Sequence, residues 1–529
     1  MSAIVGIDLG TTNSLVAIAE DGIPKILNDA EGCKIVPSIC HFSKDGQILV
    51  GTLAQEKLID DPTNTIFSIK RFMGKGLEDL DSENSLLPFK ISSDGENIVR
   101  VNIRGRDYTP PELAAFVLRE LKHKAELALN QEITNAVITV PAYFNDAQRQ
   151  ATKDAGRIAG LDVLRIVNEP TAASLAYGLQ ERKQGTVVVY DFGGGTFDVS
   201  ILKINDGIFE VLSTAGDTHL GGDDIDEALM QLVISELDTQ IDVKLVQEIR
   251  LAVRAAKEHL SSESEADIVL PAHNYAREIT ISEFEELISP IIDRTLKPCK
   301  QALKDALIKA DKIDEVILVG GSTRIPFVRQ QVEQLFSRIP HTELNPDEVV
   351  ALGAAIQADI LSGSRRDTLL LDVTPLSLGI ETIGGVMSVI IPRNSTIPAS
   401  ATESFTTYVE GQKNVKIHVL QGERELVTNC RSLAEFDLKD IPPMPAGLPR
   451  IEVKFLIDAD GILSVSASEQ RTGKYQSVEV TPTYGLTDTQ VEQMILDSFE
   501  HAEADIEARL VIEARNEAQT VLNACRKSM

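Results

Sequence analysis

Two short stretches of this 529-residue chain set aspartate, glycine and threonine at the end of an apolar, β-branched run. The first reads Ile7-Asp8-Leu9-Gly10-Thr11-Thr12 and the second Tyr190-Asp191-Phe192-Gly193-Gly194-Gly195-Thr196. In a turn after a strand, glycine permits close backbone approach, and successive N–H groups with a threonine hydroxyl offer a concave set of donors to phosphate oxygens. The aspartate adds charge for a divalent cation or its waters. One such turn is weak. Two at the ends of related strands, facing each other across a cleft, would hold a polyphosphate from both sides, as phosphoryl transfer requires. A third turn, Val319-Gly320-Gly321-Ser322-Thr323-Arg324-Ile325-Pro326, follows another strand and could hold a nucleoside; alone it reads more readily as a loop. No G-x-x-x-x-G-K-[S/T] loop, kinase signature or G-x-G-x-x-G fingerprint occurs, so paired turns replace a P-loop.

Two ionisable residues stand where such chemistry could use them. Lys70, in Phe67-Ser68-Ile69-Lys70-Arg71-Phe72-Met73-Gly74, could neutralise charge building on a transferred phosphoryl group. Glu169, in Val167-Asn168-Glu169-Pro170-Thr171, lies where an apolar strand gives way to a helix opened by Pro170, a position that can aim a carboxylate into a cleft. On the residues alone each reads more readily as a surface ion-pair partner.

The elements that must position these groups fall into blocks. Up to about residue 361, apolar β-branched runs (3–7, 136–140, 187–190, 315–319) alternate with long helical stretches such as 146–159, an α/β pattern that looks duplicated because the same turn recurs. From Leu376 onward, short alternating segments (404–409, 415–420, 451–457, 463–467) punctuated by Gly, Pro and Asn predict an antiparallel β domain, with Asp458-Ala459-Asp460-Gly461 a hairpin turn. After Gly485, Thr487 and Gln490 have capping-box spacing, and Val491, Met494, Ile495 and Phe499 recur at helical spacing. Between the first two blocks, residues 362–373 begin polar and end in Leu369, Leu370, Leu371 and Val373. That stretch reads either as the first strand of the next domain or as a linker that docks in one state and frees itself in another.

Composition narrows the classes. The chain is long enough for three or four domain-sized units. Apolar residues at 43% and charged residues at 25% are globular values, and no apolar run approaches the roughly 18 residues of a membrane span. The first residues run straight into a strand without a signal-peptide pattern, from which a cytoplasmic location is expected. A net charge of −29 repels nucleic acid and anionic lipid. Cys33, Cys40, Cys299, Cys430 and Cys525 have no ligand spacing and read as reduced thiols.

Over its whole length the chain resembles the DnaK (seventy-kilodalton heat-shock) chaperone family, on the blocks 4–14, 136–154, 168–178, 190–200, 216–222, 319–326 and 369–379. That resemblance implies an α/β actin-like ATPase domain, duplicated and of four subdomains (1–364), an interdomain linker (365–375), an antiparallel β-sandwich peptide-binding domain (376–486) and a partial, truncated α-helical lid (487–529) with faster substrate release. It implies ATP/ADP, Mg2+ and K+ in the cleft. Gly10, Thr11, Thr12, Gly193, Gly194, Gly195 and Thr196 would cradle the phosphates, while Asp8, Asp191 and Asp198 organise the metal ions. Lys70 would steady the γ-phosphate, Glu169 would position water or metal, and Asp191 and Thr196 count with them as catalytic. Gly221, Gly222, Lys257, Ser262, Gly320, Gly321, Ser322, Arg324 and Asp347 complete the expected nucleotide contacts. Pro141 and Arg149 match a relay to the linker. Arg165, Asn168, Thr171 and Asp372, with Leu369, Leu370 and Leu371, match the region where the linker and a J-domain partner engage. Ile380, Ile383, Phe405, Tyr408, Val415 and Ile417 match the peptide cleft, although plain β-core is the alternative for some of them.

Within the family the chain resembles the HscA branch, which serves iron–sulfur cluster assembly. The likeness rests on Arg254 where glutamate is usual, on shorter loops around 261–277 and before Gly221, on Ile383 facing Tyr408, and on Leu344-Asn345-Pro346-Asp347 and Tyr484-Gly485-Leu486-Thr487-Asp488. It implies the scaffold protein IscU as client, the J-protein HscB as co-chaperone, loose nucleotide holding, no required exchange factor and a monomer. A housekeeping DnaK is the alternative within the class, while sugar kinases and filament proteins share the ATP fold without the β domain.

Overall fold

The computed structural model describes residues 3–479, apart from 30, 77–86, 93–98, 179–183, 343 and 366–367, together with Ala518, Val521 and Leu522. Of the expected lid (487–529) only Ala518, Val521 and Leu522 are described, and Cys525 lies outside the described residues. The chain divides into two compact units, Met1–Asp372 and Val373–Met529, at a point inside the expected linker.

The first unit contains two sheets with the same local plan. In one, strand Ile4–Leu9 runs antiparallel to Asn13–Glu20 and parallel to Asn135–Val140, which is followed by Asp162–Asn168. In the other, Gln184–Phe192 runs antiparallel to Phe197–Asn205 and parallel to Glu315–Val319. The duplication expected from the repeated turn is thus present in the strand pairing. Each strand that leads into a turn is buried on both faces, with Val5, Gly6 and Ile7 consecutively buried in one sheet and Val187, Val188, Val189 and Tyr190 in the other, so helices must cover both sides.

Those helices start where side chains satisfy the first free N–H groups. Thr109 with Glu112 and Asn145 with Gln148 form capping boxes for helices Pro110–Leu129 and Asp146–Ile158. Helix Val349–Ser362 packs Ala351 and Ala355 against Leu15 and Ala17 and ends at Gly363 in the left-handed conformation.

Strand Leu369–Val373 joins the second sheet, with Leu369, Leu370 and Leu371 running parallel to Ile208, Phe209 and Glu210. Both sequence readings of this stretch contained part of the answer. It is a strand, and residues 369–371 pair with the first unit.

The second unit contains two four-stranded antiparallel sheets. One orders Val386–Ile391, Leu378–Thr382, Val415–Gln421 and Arg431–Leu438; the other orders Ala399–Phe405, Ile451–Ile457, Leu463–Glu469 and Tyr475–Glu479. Their inner faces share one apolar core. The hairpin at 458–461 forms as expected, with Asp458 Oδ1 accepting from the N–H groups of Asp460 and Ile462 at 2.8 and 2.9 Å. The strand expected over 404–409 ends instead at Phe405. Its last partner is Ile451, and the neighbouring chain then reaches Pro449, which has no N–H to continue the ladder.

Candidate nucleotide cleft

The two Asp-Gly-Thr turns face each other so closely that a Cβ on Gly194 would lie 2.1 Å from Thr12 Oγ1. The chain folds this way because each turn closes a hairpin, Leu9 pairing with Ser14 and Phe192 with Phe197. Ser38 Oγ donates to the Gly10 carbonyl at 2.8 Å, and the Gly222 and Asp223 N–H groups donate to the Gly193 and Gly194 carbonyls at 3.0 and 2.8 Å. These hydrogen bonds tie the turns to the chain around them.

The third turn is drawn against the second. Gly320 has φ 83°, and a Cβ there would meet the Phe192 carbonyl oxygen at 2.5 Å, so no other residue suits the position. Ser322 Oγ donates to the Gly193 carbonyl at 2.8 Å.

A cavity of about 440 Å3 lies between these turns. It is lined by Asp8, Gly10, Thr11, Thr12, Lys70, Glu169, Asp191, Gly193, Gly194, Thr196, Gly222, Lys257, Gly320, Gly321, Ser322, Arg324 and Asp347 among the residues singled out in the sequence. Gly195 backs onto Thr11 and Gly221 onto the Gly194 carbonyl, outside the lining. Asp198 sits opposite Asp191 on the adjoining strand, fully buried, and its Oδ1 accepts from the Tyr143 N–H at 3.0 Å.

The structure corrects one residue. Ser262 is exposed and its hydroxyl donates to the His259 carbonyl, whereas Ser261 lines the cavity. Ser261 stands four residues after Lys257, the spacing that keeps side chains on one helical face, a signal the sequence held. Asn13, Asp223 and Glu258 also line the cavity. None stands out by residue type.

Lys70 enters the cleft from a short 3-10 turn, Ile69–Phe72, whose Ile69 and Phe72 are anchored in the core. Its ammonium donates to Glu169 Oε1 and lies 5.9 Å from the Phe144 ring centroid. Glu169 opens helix Glu169–Gly178, where the helix dipole favours a negative charge. The two side chains that alone read as surface ion-pair partners are paired with each other, and both are buried.

The electrostatics fit a cation. Burial, and then the Glu169 charge, push the Asp8 carboxyl up to about 7, against the opposing effect of Lys70 and the hydrogen bond from Thr139. Burial, Glu169, Asp198 and Asp8 push Asp191 well above its ordinary value. Carboxylates crowded out of water with one nearby ammonium resist ionisation, and a divalent ion relieves that strain. Among the described residues no group of three His, Cys, Asp or Glu side chains comes close enough to ligate an ion directly. Mg2+ keeps several waters and takes phosphate oxygens as ligands.

The model of the Hsp70 protein family matches residues 4–529. This chain belongs to the Hsp70 family. It is 49% identical to the chaperone protein dnaK of Cyanidioschyzon merolae over 98% of this chain and 88% of the relative, and 48% identical to that of Cyanophora paradoxa over 100% and 88%. As an Hsp70-family chaperone it is an ATPase that works with ATP and ADP, Mg2+ and K+. Bound Mg2+ would neutralise developing phosphate charge and would be held through Asp8 and Asp191. The chain itself supplies the backbone donors of the two turns, the Thr12 and Thr196 hydroxyls, the Lys70 ammonium and the Glu169 carboxylate.

The remaining expected residues fall into three groups. Arg149 donates to Asn168 Oδ1 at 2.6 Å and to the Ala142 and Phe144 carbonyls, and the Phe144 N–H donates to the Pro141 carbonyl, so Pro141 and Arg149 are linked through Phe144. Thr171 Oγ1 donates to Asp372 Oδ2 at 3.2 Å, while Arg165 is half-buried on strand Asp162–Asn168. In the second unit, Ile380 and Ile417 belong to the core, Phe405 and Val415 pack half-buried against it, and Ile383 and Tyr408 are 46% and 39% exposed. Among the described residues no helix is long and apolar enough to cross a membrane.

Proposed function

We propose that the chain is a general DnaK-type chaperone, in which ATP hydrolysis sets how tightly the β unit holds a short extended peptide, stimulated by a J-domain partner. The observation carrying this reading is the pairing of Leu369, Leu370 and Leu371 with strand Ile208–Asp217. That strand pairs in turn with Phe197–Asn205, which begins immediately after Thr196 of the phosphate turn. A shift of the turn on hydrolysis therefore has one intervening strand to cross before it reaches the apolar connector. Peptide would be gripped through free strand edges, with apolar side chains selecting a central residue. The chain would act as a monomer in the cytoplasm, and its acidic charge disfavours nucleic acid.

A fluorescent hydrophobic peptide, titrated with and without ATP, tests the coupling. Weaker peptide binding with ATP is expected, and equal affinity in both states refutes the reading.

The narrower reading, an HscA-type chaperone acting on IscU with HscB, is favoured by the exposed Ile383 and Tyr408 and by Arg254 in the cleft. Relatives carrying the dnaK name fit the general reading at least as well. Stimulation of ATPase by a Leu-Pro-Pro-Val-Lys peptide far beyond that by a generic hydrophobic peptide would select the narrower function. Equal stimulation would select the general one.

A further inference from the structure

Outside the cavity lining, three side chains of different type converge on one point. Tyr177 stands in the last turn of helix Glu169–Gly178, Glu315 opens strand Glu315–Val319, and His341 lies beyond helix Pro326–Phe336. The Tyr177 hydroxyl donates to Glu315 Oε2, His341 Nε2 lies 3.4 Å from that same oxygen, and 3.4 Å also separates Nε2 from the Tyr177 hydroxyl. The fold holds each corner separately. Tyr177 and Glu315 are buried. The His341 N–H donates to the Val316 carbonyl at 2.8 Å, which lays His341 beside the strand that Glu315 begins. Its ring centroid is 5.3 Å from that of Tyr177, the planes tilted by 59°, with 36% of the side chain in water. The nucleotide chemistry uses none of the three, and none lines the cavity.

We propose that Tyr177, Glu315 and His341 form a binding site for a divalent transition-metal ion, zinc foremost, with its fourth position open to water. An imidazole nitrogen and a carboxylate oxygen are ordinary zinc ligands, and a phenolic oxygen joins them once its proton is lost. Ligand atoms about 2.0–2.1 Å from a tetrahedral ion stand roughly 3.3–3.4 Å apart, so the two edges that meet at His341 already have the required length. The third edge is the hydrogen bond from Tyr177 to Glu315. The ion takes the place of its proton, which passes to water. Magnesium and calcium prefer shells made of oxygen alone, and the imidazole turns the choice toward zinc and its first-row neighbours. Three protein ligands with one accessible position make an open site, and the part of His341 in water gives the ion its way in. An ion there would join the far end of the helix that Glu169 opens to the start of the strand that ends at Val319, so it would brace two elements whose other ends reach the cavity.

The test titrates the full chain with Zn2+ against a chromophoric chelator, with Mg2+ in large excess so that carboxylate sites that accept Mg2+ are filled. The wild type should bind one Zn2+ that His341→Ala, a change at a half-exposed side chain, holds on the order of 100-fold more weakly. An ultraviolet difference spectrum should show one tyrosine ionising as the metal binds, and Tyr177→Phe should abolish that signal. Co2+ in place of Zn2+ should give the strong visible absorption of a four-coordinate ion, which His341→Ala should lose. Zn2+ should also raise the unfolding temperature of the wild type and leave that of His341→Ala unchanged. No Zn2+ binding by the wild type, or equal affinity in the wild type and His341→Ala, overturns the proposal and leaves the three residues as a hydrogen-bonded support of the fold. Zn2+ binding by the wild type without the tyrosine signal overturns the three-ligand site as well.

Discussion

The nucleotide cleft and the β unit solve recognition in opposite ways. In the cleft the working groups are polar, buried and tied to each other: Lys70 to Glu169, Asp8 to Thr139, Asp223 to two arginines. In the β unit the candidate contacts grade from core to surface, with Ile417 sealed in the sandwich and Ile383 and Tyr408 in water. Buried charge is costly unless every partner is in place, so the cleft tolerates little change, while an apolar groove loses contact area by degrees.

Five measurements would break or sharpen that contrast. Lys70→Ala and Thr196→Ala should each slow single-turnover ATP hydrolysis by about 100-fold or more while the nucleotide still binds, because each removes charge stabilisation made mainly in the transition state. Near-normal turnover in both would remove the cleft chemistry described above. Next in size, Ile417→Ala should lower unfolding free energy by about 2–5 kcal/mol by leaving a cavity in the sandwich core. Ile383→Ala, at an exposed position, should cost under about 0.5 kcal/mol of stability and instead weaken peptide binding several-fold. If the two exchange behaviours, the division between core and groove is wrong.

A smaller effect concerns pH. Burial raises Asp223, but the Arg71 and Arg254 guanidiniums outweigh it and hold the carboxyl below its ordinary value. A carboxyl depressed in the folded state contributes stability above its unfolded value of about 4, which is lost as pH falls through the folded value. Stability to chemical denaturation should therefore not vary with Asp223 ionisation at neutral pH and should fall on this account only in acid below about pH 4. Replacing Asp223 by Asn should give the acid behaviour at neutral pH. The smallest effect is in thiol labelling: exposed Cys33 should react with iodoacetamide first, while burial lifts Cys40 to about 12 and keeps it and Cys299 largely unreactive in the native chain. Rapid labelling of Cys40 would mean that the first unit opens far more readily than its packing implies.

Much of this was legible along the chain because it depends on short-range rules. The Asp-Gly-Thr turns announce phosphate contacts through glycine and hydroxyl spacing, Asn145 with Gln148 announces a helix start, and Asp458 to Gly461 announces a hairpin. Other features were out of reach. Nothing in local spacing says that Lys70 meets Glu169, 99 residues away, or that Arg254 bridges Asp223 and Asp226. The strand expected over 404–409 failed because its end is set by Pro449 on a neighbouring strand.

What the sequence determined by itself was a duplicated turn with phosphate-binding chemistry, an apolar connector and a change from α/β to alternating β texture. These follow from propensity and periodicity, which act over a few residues. Only the tertiary structure decided which ionisable groups became partners, that Ser261 and not Ser262 faces the cavity, and that residues 369–371 complete a sheet of the first unit. Charge pairing and burial depend on distance in space, and chain folding brings together residues that no spacing along the sequence relates.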